Sequence, residues 1–202
     1  MAGRRIALVD FEEMNEREFV FILGSARHGG NTEHLARYAA RSLPDSIKQT
    51  WIHLLDQGLP LFEDIRHHET RTYSIASEGE KALLDATLAA TDLVIASPVY
   101  WYSISAATKL YLDHWSGWMR LEGVDFKARM ESKSLWAISA LSDEDWSGAQ
   151  PLIDTLRLSA EYMKMNWGGA LLGYGNRPGD IMNDAASLER AEKFFSYELP
   201  PA

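Results

Sequence analysis

A glycine-rich loop between a buried strand and a helix is the first stretch of this sequence that can do chemistry. Residues 19–23 are all apolar, which is typical of a strand covered on both faces of a parallel sheet. Glycines interrupt the run over residues 24–30, and an apolar helical pattern follows over 35–40, which Asn31 or Thr32 can N-cap. The free N–H groups and the dipole of a helix N-terminus attract anions. The stretch therefore predicts an anion site.

The polar residues of this loop indicate that the anion is a phosphate. Arg27 can fork two phosphate oxygens, and Ser25, Asn31 and Thr32 offer further hydrogen bonds. The loop lacks the Lys and the Mg²⁺-holding hydroxyl of a Walker loop, and its glycines do not have the G-x-G-x-x-G spacing. It suits a terminal monoester phosphate better than a pyrophosphate or a triphosphate. The alternative is an ordinary strand–helix turn whose glycines serve only geometry.

A run of aromatic residues follows a second buried strand. Residues 93–97 (LVIAS) are predicted as the strand, and Pro98 ends it before the sequence VYWYS. Large rings at the carboxyl end of such a strand lie where α/β sheets bind ligands. Ser103 or Ser105 can then cap the next helix. The alternative is a hydrophobic plug under a loop, but aromatic residues exposed beside a cleft indicate recognition.

Composition excludes several classes of function. The chain has 202 residues, 46% of them hydrophobic, a formal net charge of −9 and no cysteine. This size predicts one domain over residues 18–202 after an arm over residues 1–17. The acidic balance argues against nucleic acid or anionic membrane as partners, and the missing cysteines exclude disulfides, thiolate chemistry and cysteine-bound metals. No stretch reaches the length of a membrane span, and we expect a cytoplasmic protein.

Histidines among acidic residues raise the question of a metal site. His67 and His68 lie near Glu63, Asp64 and Glu69. Adjacent histidines do not share a face of a regular element, and no HExxH spacing exists. We interpret this segment as a solvated loop and predict no metal.

Strand and helix patterns alternate five times along the chain. The predicted strands are 19–23, 47–54, 93–97, 134–139 and 167–173, and the predicted helices begin near 31, 75, 105, 149 and 184. This alternation predicts an α/β fold with a doubly wound parallel sheet and right-handed crossovers. The second strand mixes polar and apolar residues, which favours a position at the edge of the sheet.

The two motifs together resemble those of the NAD(P)H-dependent FMN reductase family of the flavodoxin-like superfamily. The resemblance rests on GSARHGGNTEHL, on SPVYWYSISAATKLYLD and on the LPLFEDI segment after the second strand. It implies a flavodoxin-like, three-layer α/β/α fold with strand order 2-1-3-4-5. It also implies FMN at the switch point between the first and third strands.

The resemblance also implies which residues hold FMN. The phosphate ligands would be Ser25, Arg27, Gly30, Asn31 and Thr32, and the residues around the isoalloxazine ring would be Pro98, Val99, Tyr100 and Trp101. The loop after the fourth strand departs from the family, because residues 140–145 (ALSDED) stand where many relatives carry glycines. That departure leaves the third flavin contact unassigned. Without cysteine, the iron–sulfur centre of some relatives is excluded.

The implied activity is ping-pong hydride transfer from NAD(P)H to a small acceptor such as a quinone, a flavin, or an azo or nitro compound. The flavin supplies the chemistry, so we predict no catalytic residue in the protein. Tyr111, Trp115 and Trp118 are predicted to line the open face of the flavin, across a homodimer or homotetramer interface as in similar proteins. Their helical spacing fits a core or interface stripe equally well.

Two other classes of protein compete with a reductase. An electron carrier or FMN-binding protein without NAD(P)H activity suits the acidic balance, since carriers often meet basic partners. A carrier usually covers both flavin faces, whereas this chain has a wider aromatic pocket. A phosphoester hydrolase is disfavoured because the sequence offers no nucleophile or metal set.

Overall fold

The chain folds into five strands alternating with helices. The computed structural model describes residues 17–69, 72–143 and 145–196, so the predicted arm lies outside the described residues except for Arg17. The strands are β1 (Glu18–Leu23), β2 (Lys48–His53), β3 (Asp92–Ala96), β4 (Ser134–Leu141) and β5 (Asn166–Tyr174). The helices are α1 (Asn31–Ala40), α2 (Glu78–Ala89), α3 (Ala106–Trp118), α4 (Phe126–Met130), α5 (Gln150–Tyr162) and α6 (Ala185–Lys193).

The five strands form one parallel sheet in the order β2-β1-β3-β4-β5, which confirms the predicted topology. Leu23 pairs with His53 on one side and with Ala96 on the other, so three strands end at the same level. The mixed strand β2 lies at the edge, with Lys48 and Gln49 exposed. The switch point between β1 and β3 therefore lies at the carboxyl ends of these strands, where ligands of such folds bind.

Each face of the sheet carries its own hydrophobic core. Val20, Ile22 and Ile95 face a cluster that includes residues of α2, α3 and α5. Phe21 and Trp136 face the opposite cluster, which includes residues of α1 and α6. Helices on both sides of a central sheet confirm the three-layer α/β/α architecture. Among the described residues, no helix is long and apolar enough to cross a membrane.

Helix starts show where local sequence signals hold. Ser77 caps α2 by accepting the Glu80 N–H, and Ser105, not Ser103, caps α3. The predicted caps of α1 were wrong, because the N-cap is Gly30, which has no side chain to cap with. A short helix, α4, was not predicted, and the last predicted helix is α6 followed by a 3₁₀ turn over Phe194–Ser196.

Candidate flavin site

The glycine-rich loop is fixed between β1 and α3. The Gly24 N–H donates to the Ala96 carbonyl at 2.9 Å, and the Ser105 hydroxyl donates to the Gly24 carbonyl at 2.5 Å. A Cβ on Gly24 would lie 1.9 Å from the Thr108 hydroxyl oxygen, so only glycine permits this contact. The loop is therefore held at the carboxyl ends of β1 and β3.

The N-terminus of α1 has no side-chain cap. Its N-cap Gly30 makes no side-chain hydrogen bond, so no side chain satisfies the first-turn N–H groups in the usual way. Glu33 lies in this turn, but it accepts the Gly29 N–H at 2.8 Å and pairs with Arg37 at 2.8 Å. Burial raises the pKa of Glu33, yet these hydrogen bonds and the guanidinium outweigh burial and hold it below its usual value. The helix end therefore keeps the donors and the dipole that bind an anion.

Eight of the nine predicted cofactor ligands line one cavity of about 270 Å³. They are Ser25, Arg27, Gly30, Asn31, Thr32, Pro98, Val99 and Tyr100. The structure thus brings the glycine-rich loop and the start of the aromatic run together, as the motif positions indicated. Four further lining residues were missed by sequence reasoning: Ala140, Ser142, Gly175 and Asn176. Their only sequence signal is that they lie at or just after the carboxyl ends of β4 and β5.

The side chains in this cavity differ in what they have left to offer an anion. Ser25 accepts the Arg27 N–H at 3.3 Å and Thr32 accepts the Ala140 N–H at 3.2 Å, so both hydroxyls keep a proton to donate. Arg27 is exposed and forms no ion pair with any described residue. Asn31 is different, because its amide is fully occupied by backbone groups of the chain.

The aromatic run forms a tight turn with an unusual backbone. Tyr100 and Ser103 exchange two backbone hydrogen bonds, of 2.9 and 3.1 Å, across Trp101 and Tyr102. Trp101 and Tyr102 have φ of 49° and 64°, the left-handed region that a type I′ turn requires and that Asn and Gly normally fill. Trp101 is 92% exposed and Tyr102 is 65% exposed. Strained, exposed aromatic residues beside a cavity point to a ligand surface.

A second cavity of about 360 Å³ adjoins the first and shares Val99 and Ser142 with it. Trp101, the ninth predicted ligand, lines this cavity together with Tyr102, Leu141, Asp143, Asp145, Ser147 and Gly148. Asp145 accepts the Ser147 N–H at 2.9 Å, and this hydrogen bond lowers the pKa of its carboxyl. Within the described part of the chain, no Lys or Arg lines this second cavity. One end of the combined site therefore suits an anion, and the other presents aromatic and acidic groups.

The predicted substrate residues do not lie at this site. Tyr111, Trp115 and Trp118 are 0%, 4% and 1% exposed and belong to the core on the α3 side of the sheet. Tyr111 shares a 2.6 Å hydrogen bond with Thr87, and Trp118 donates to Glu80 at 2.9 Å. Trp115 and Trp118 border other cavities, and none of the three residues lines either cavity of the candidate site, so their positions contradict a role at an open flavin face there. They belong to the hydrophobic core, which was the alternative interpretation of their helical spacing.

A buried polar pair holds the long segment between β2 and α2. His114 faces a Glu80 carboxylate oxygen at 3.0 Å through Nδ1 and the Pro60 carbonyl at 2.9 Å through Nε2. The other Glu80 oxygen accepts the Ala76 N–H at 2.8 Å. The pair therefore ties Pro60 to α3 through His114 and Ala76 to α2 through Glu80. It serves the fold and not the flavin cavities.

Among the described residues, the histidines that come close to each other as possible ligands are His28 and His53, not the sequence neighbours His67 and His68 that raised the question of a metal site. His28, His53 and Asp56 bring ligand atoms within 4.8 Å of one another. The two imidazole rings lie face against face, with centroids 3.9 Å apart and a 39° tilt. His53 donates from Nε2 to the Arg27 carbonyl and accepts the Leu55 N–H at Nδ1. Because both His53 nitrogens are engaged by backbone groups, we assign no metal there.

Comparisons with known proteins agree with this geometry. A family model described as NADPH-dependent FMN reductase matches residues 18–167. The Bacillus subtilis (strain 168) protein YwqN, named as an NAD(P)H-dependent FMN-containing oxidoreductase, is 31% identical over 177 residues, which is 86% of this chain and 94% of that protein.

Solved structures extend the likeness to the fold. The Trp repressor binding protein from Bacillus subtilis has a TM-score of 0.70 at 28% identity, covering 89% of this chain and 99% of that chain. An FMN-dependent NADH-azoreductase from Bacillus anthracis str. Ames Ancestor, solved in complex with FMN, has a TM-score of 0.62 at 12% identity, covering 89% and 98%. The family match, the sequence identity and the cavities at the switch point agree: the chain belongs to the NADPH-dependent FMN reductase family.

Proposed function

We propose that this protein uses FMN to transfer hydride equivalents from NAD(P)H to a quinone, a flavin or another small acceptor, by a ping-pong mechanism. Family membership gives FMN as the cofactor and NAD(P)H-dependent oxidoreduction as the class of activity. The observation that carries the assignment of the site is the junction of two cavities at the carboxyl ends of β1, β3 and β4. One has the groups that bind a phosphate, and the other has a flat aromatic wall.

The residues of the first cavity fit the phosphate of FMN. Arg27 offers a guanidinium that pairs with no described carboxylate, Ser25 and Thr32 offer hydroxyl protons, and α1 offers its first-turn N–H groups. None of the described residues on this cavity wall is a carboxylate. A dianionic monoester is the anion that such a set binds best.

The second cavity fits an isoalloxazine ring. Val99 joins both cavities, and Trp101 and Tyr102 present ring surface beside it. Bound FMN supplies the hydride-accepting and hydride-donating ring, so the protein needs no acid or base of its own. The chain's part is to anchor the phosphate, fix the ring at the strand ends, and leave one ring face open to nicotinamide and acceptor in turn. Sequential use of one open face produces ping-pong kinetics.

Assembly of two or four chains is also part of the proposal. Leu158 and Tyr162 on α5 are 54% and 60% exposed, and they border a groove that Met119 and Met163 also line. An exposed apolar groove of this kind supports an interface between copies of the chain. Light scattering coupled to size exclusion measures the assembly directly.

The deciding experiment is an absorption spectrum of the purified protein with added FMN, followed by anaerobic titration with NADPH and then NADH. Bleaching of bound-flavin bands by a nicotinamide supports the reductase and ranks its donors. Bleaching by dithionite alone supports the carrier alternative, which the net charge of −9 favours. Steady-state initial rates with a quinone should give parallel double-reciprocal lines, and intersecting lines would contradict a ping-pong mechanism.

A further inference from the structure

The segment after β5 forms a wall of the first cavity of about 270 Å³, the one that includes Ser25, Arg27 and Thr32, which we call the phosphate cavity. Gly175 and Asn176 line it together with Ser25 and Arg27. This segment lies beyond residues 18–167, the part of the chain that the family model matches. Its place in the cavity therefore rests on the contacts that residues 175–179 make in this chain.

Asn31 holds this wall in place. Its Nδ2 donates to the Gly175 and Arg177 carbonyls, and its Oδ1 accepts the Gly179 N–H, each at 2.9 Å. The side chain is 5% exposed, and one oxygen facing a donor with one nitrogen facing two acceptors fixes the amide orientation. Three bonds from one side chain clamp a five-residue segment to the first turn of α1.

The clamp requires a glycine at position 175. A Cβ on Gly175 would lie 2.7 Å from the Asn31 Nδ2 and 2.9 Å from the Ile181 N, so the segment approaches Asn31 as closely as only glycine allows. The Gly175 N–H also donates to the Leu141 carbonyl at 2.8 Å, which ties the wall to the end of β4. The wall is thus bound on both sides.

Asn176 is the side chain that this clamp presents. It is exposed, it lines the phosphate cavity, and its amide forms no hydrogen bond with any described residue. An amide N–H₂ group is a donor that suits phosphate oxygens. We propose that Asn176 is a phosphate ligand of the bound FMN, and that Asn31 is the positioning residue that holds Asn176 there. This inference rests on the proposed function.

The test combines FMN and riboflavin, which differ only in the phosphate, with amide exchange in the FMN-free protein. Asn176→Ala should weaken FMN several-fold because it loses a hydrogen bond to the charged phosphate. Asn31→Ala should weaken FMN at least as much, because it releases Asn176 together with the rest of the wall. Riboflavin affinity should stay unchanged in both variants. NMR-detected hydrogen exchange of the Gly179 amide should accelerate in Asn31→Ala alone. Asn183→Ala is the matched control, an exposed asparagine of the same segment that does not line the phosphate cavity.

Each contrary outcome has a distinct meaning. Equal loss of riboflavin and FMN affinity would show general damage and overturn the phosphate role. Unchanged Gly179 exchange in Asn31→Ala would overturn the clamp. If Asn31→Ala does not fold, Asn176→Ala still decides the ligand role with the clamp intact. Weak FMN binding by Ser25→Ala with normal binding by both asparagine variants overturns this inference alone, whereas a wild-type protein that binds no FMN overturns the proposed function as well.

Discussion

Replacing Arg27 by Ala should weaken FMN binding without affecting the fold. The guanidinium is exposed, lines the phosphate cavity and pairs with no described carboxylate, so the apoprotein does not depend on it. A hydrogen bond to a charged group contributes about 1.5–3 kcal/mol. The expected loss in FMN affinity is therefore about 10- to 150-fold.

The measurement is a cycle of two proteins and two ligands. Fluorescence titrations give the dissociation constants of FMN and riboflavin for the wild type and for Arg27→Ala. Only the FMN constant should change, because riboflavin has no phosphate for Arg27 to bind. Arg27→Lys should fall between the two, since it keeps the charge but loses the fork. The loss should shrink at high salt because ions screen this exposed charge.

Arg41→Ala is the matched control, because Arg41 follows α1 and stacks on Tyr38 away from the cavity. It should leave both constants unchanged. The free energy of unfolding of FMN-free Arg27→Ala should stay within about 0.5 kcal/mol of the wild type. An unchanged FMN constant, or an equal loss for riboflavin, would refute the assignment of Arg27 to the phosphate.

Three further predictions concern charge, packing and pH. Asp143 and Asp145 line the second cavity, where the isoalloxazine ring is proposed to bind, so neutral quinones should react faster than quinone sulfonates. Replacing both residues by Asn should reduce the ratio of the two rates by about 3- to 10-fold. An unchanged ratio would show that the acceptor binds elsewhere. Trp118→Ala removes a ring that is 1% exposed, so urea unfolding should show a loss of about 3–5 kcal/mol, and a change in acceptor KM at full stability would return Trp118 to the pocket. Burial raises the pKa of Asp184, but hydrogen bonds from two backbone N–H groups outweigh it and lower that pKa. Its contribution to stability is therefore present at neutral pH and is lost as the pH falls below about 4, so the deficit of Asp184→Asn in urea unfolding should be large at pH 7 and small at pH 3.

The fold was predictable because its signals are local. The five apolar residues that end at Leu23 and the four around Ile95 are typical of strands covered on both faces, and each run is soon followed by glycine or proline. The polar residues of β2 predicted an edge position, because an edge strand is less fully covered than a central one. Nothing in these signals depends on contacts between distant residues, so a single sequence sufficed.

The phosphate cavity was predictable only in part, because some of its walls depend on distant contacts. Asn31 meets Gly175, 144 positions away, and Thr32 meets Ala140, 108 positions away. From the local sequence, both residues are good candidates for the helix N-cap. In the structure, their side chains instead form hydrogen bonds with residues that are distant in the sequence. Gly30 therefore became the cap.

The tryptophans of α3 show a different limit. Helical spacing says which side chains share a face, but it does not say whether that face meets a cavity or a core. Trp115 and Trp118 share their face with Tyr111, and the whole face packs against Phe126 and the sheet. The short helix that supplies Phe126 had no sequence signal, so the cover over these rings was not foreseeable.

The polarity of the two cavities supports one direction for FMN in the proposed site. Arg27 and the N-terminus of α1 give one end positive potential, whereas Asp143 and Asp145 give the other end negative potential. A dianionic phosphate placed among the carboxylates would be repelled, and at the helix end it is attracted. The acidic residues after β4, which depart from the glycines of many relatives, therefore do not disturb the phosphate. They favour the proposed orientation, in which the ring would lie beside Trp101 and the acceptor would meet an acidic edge.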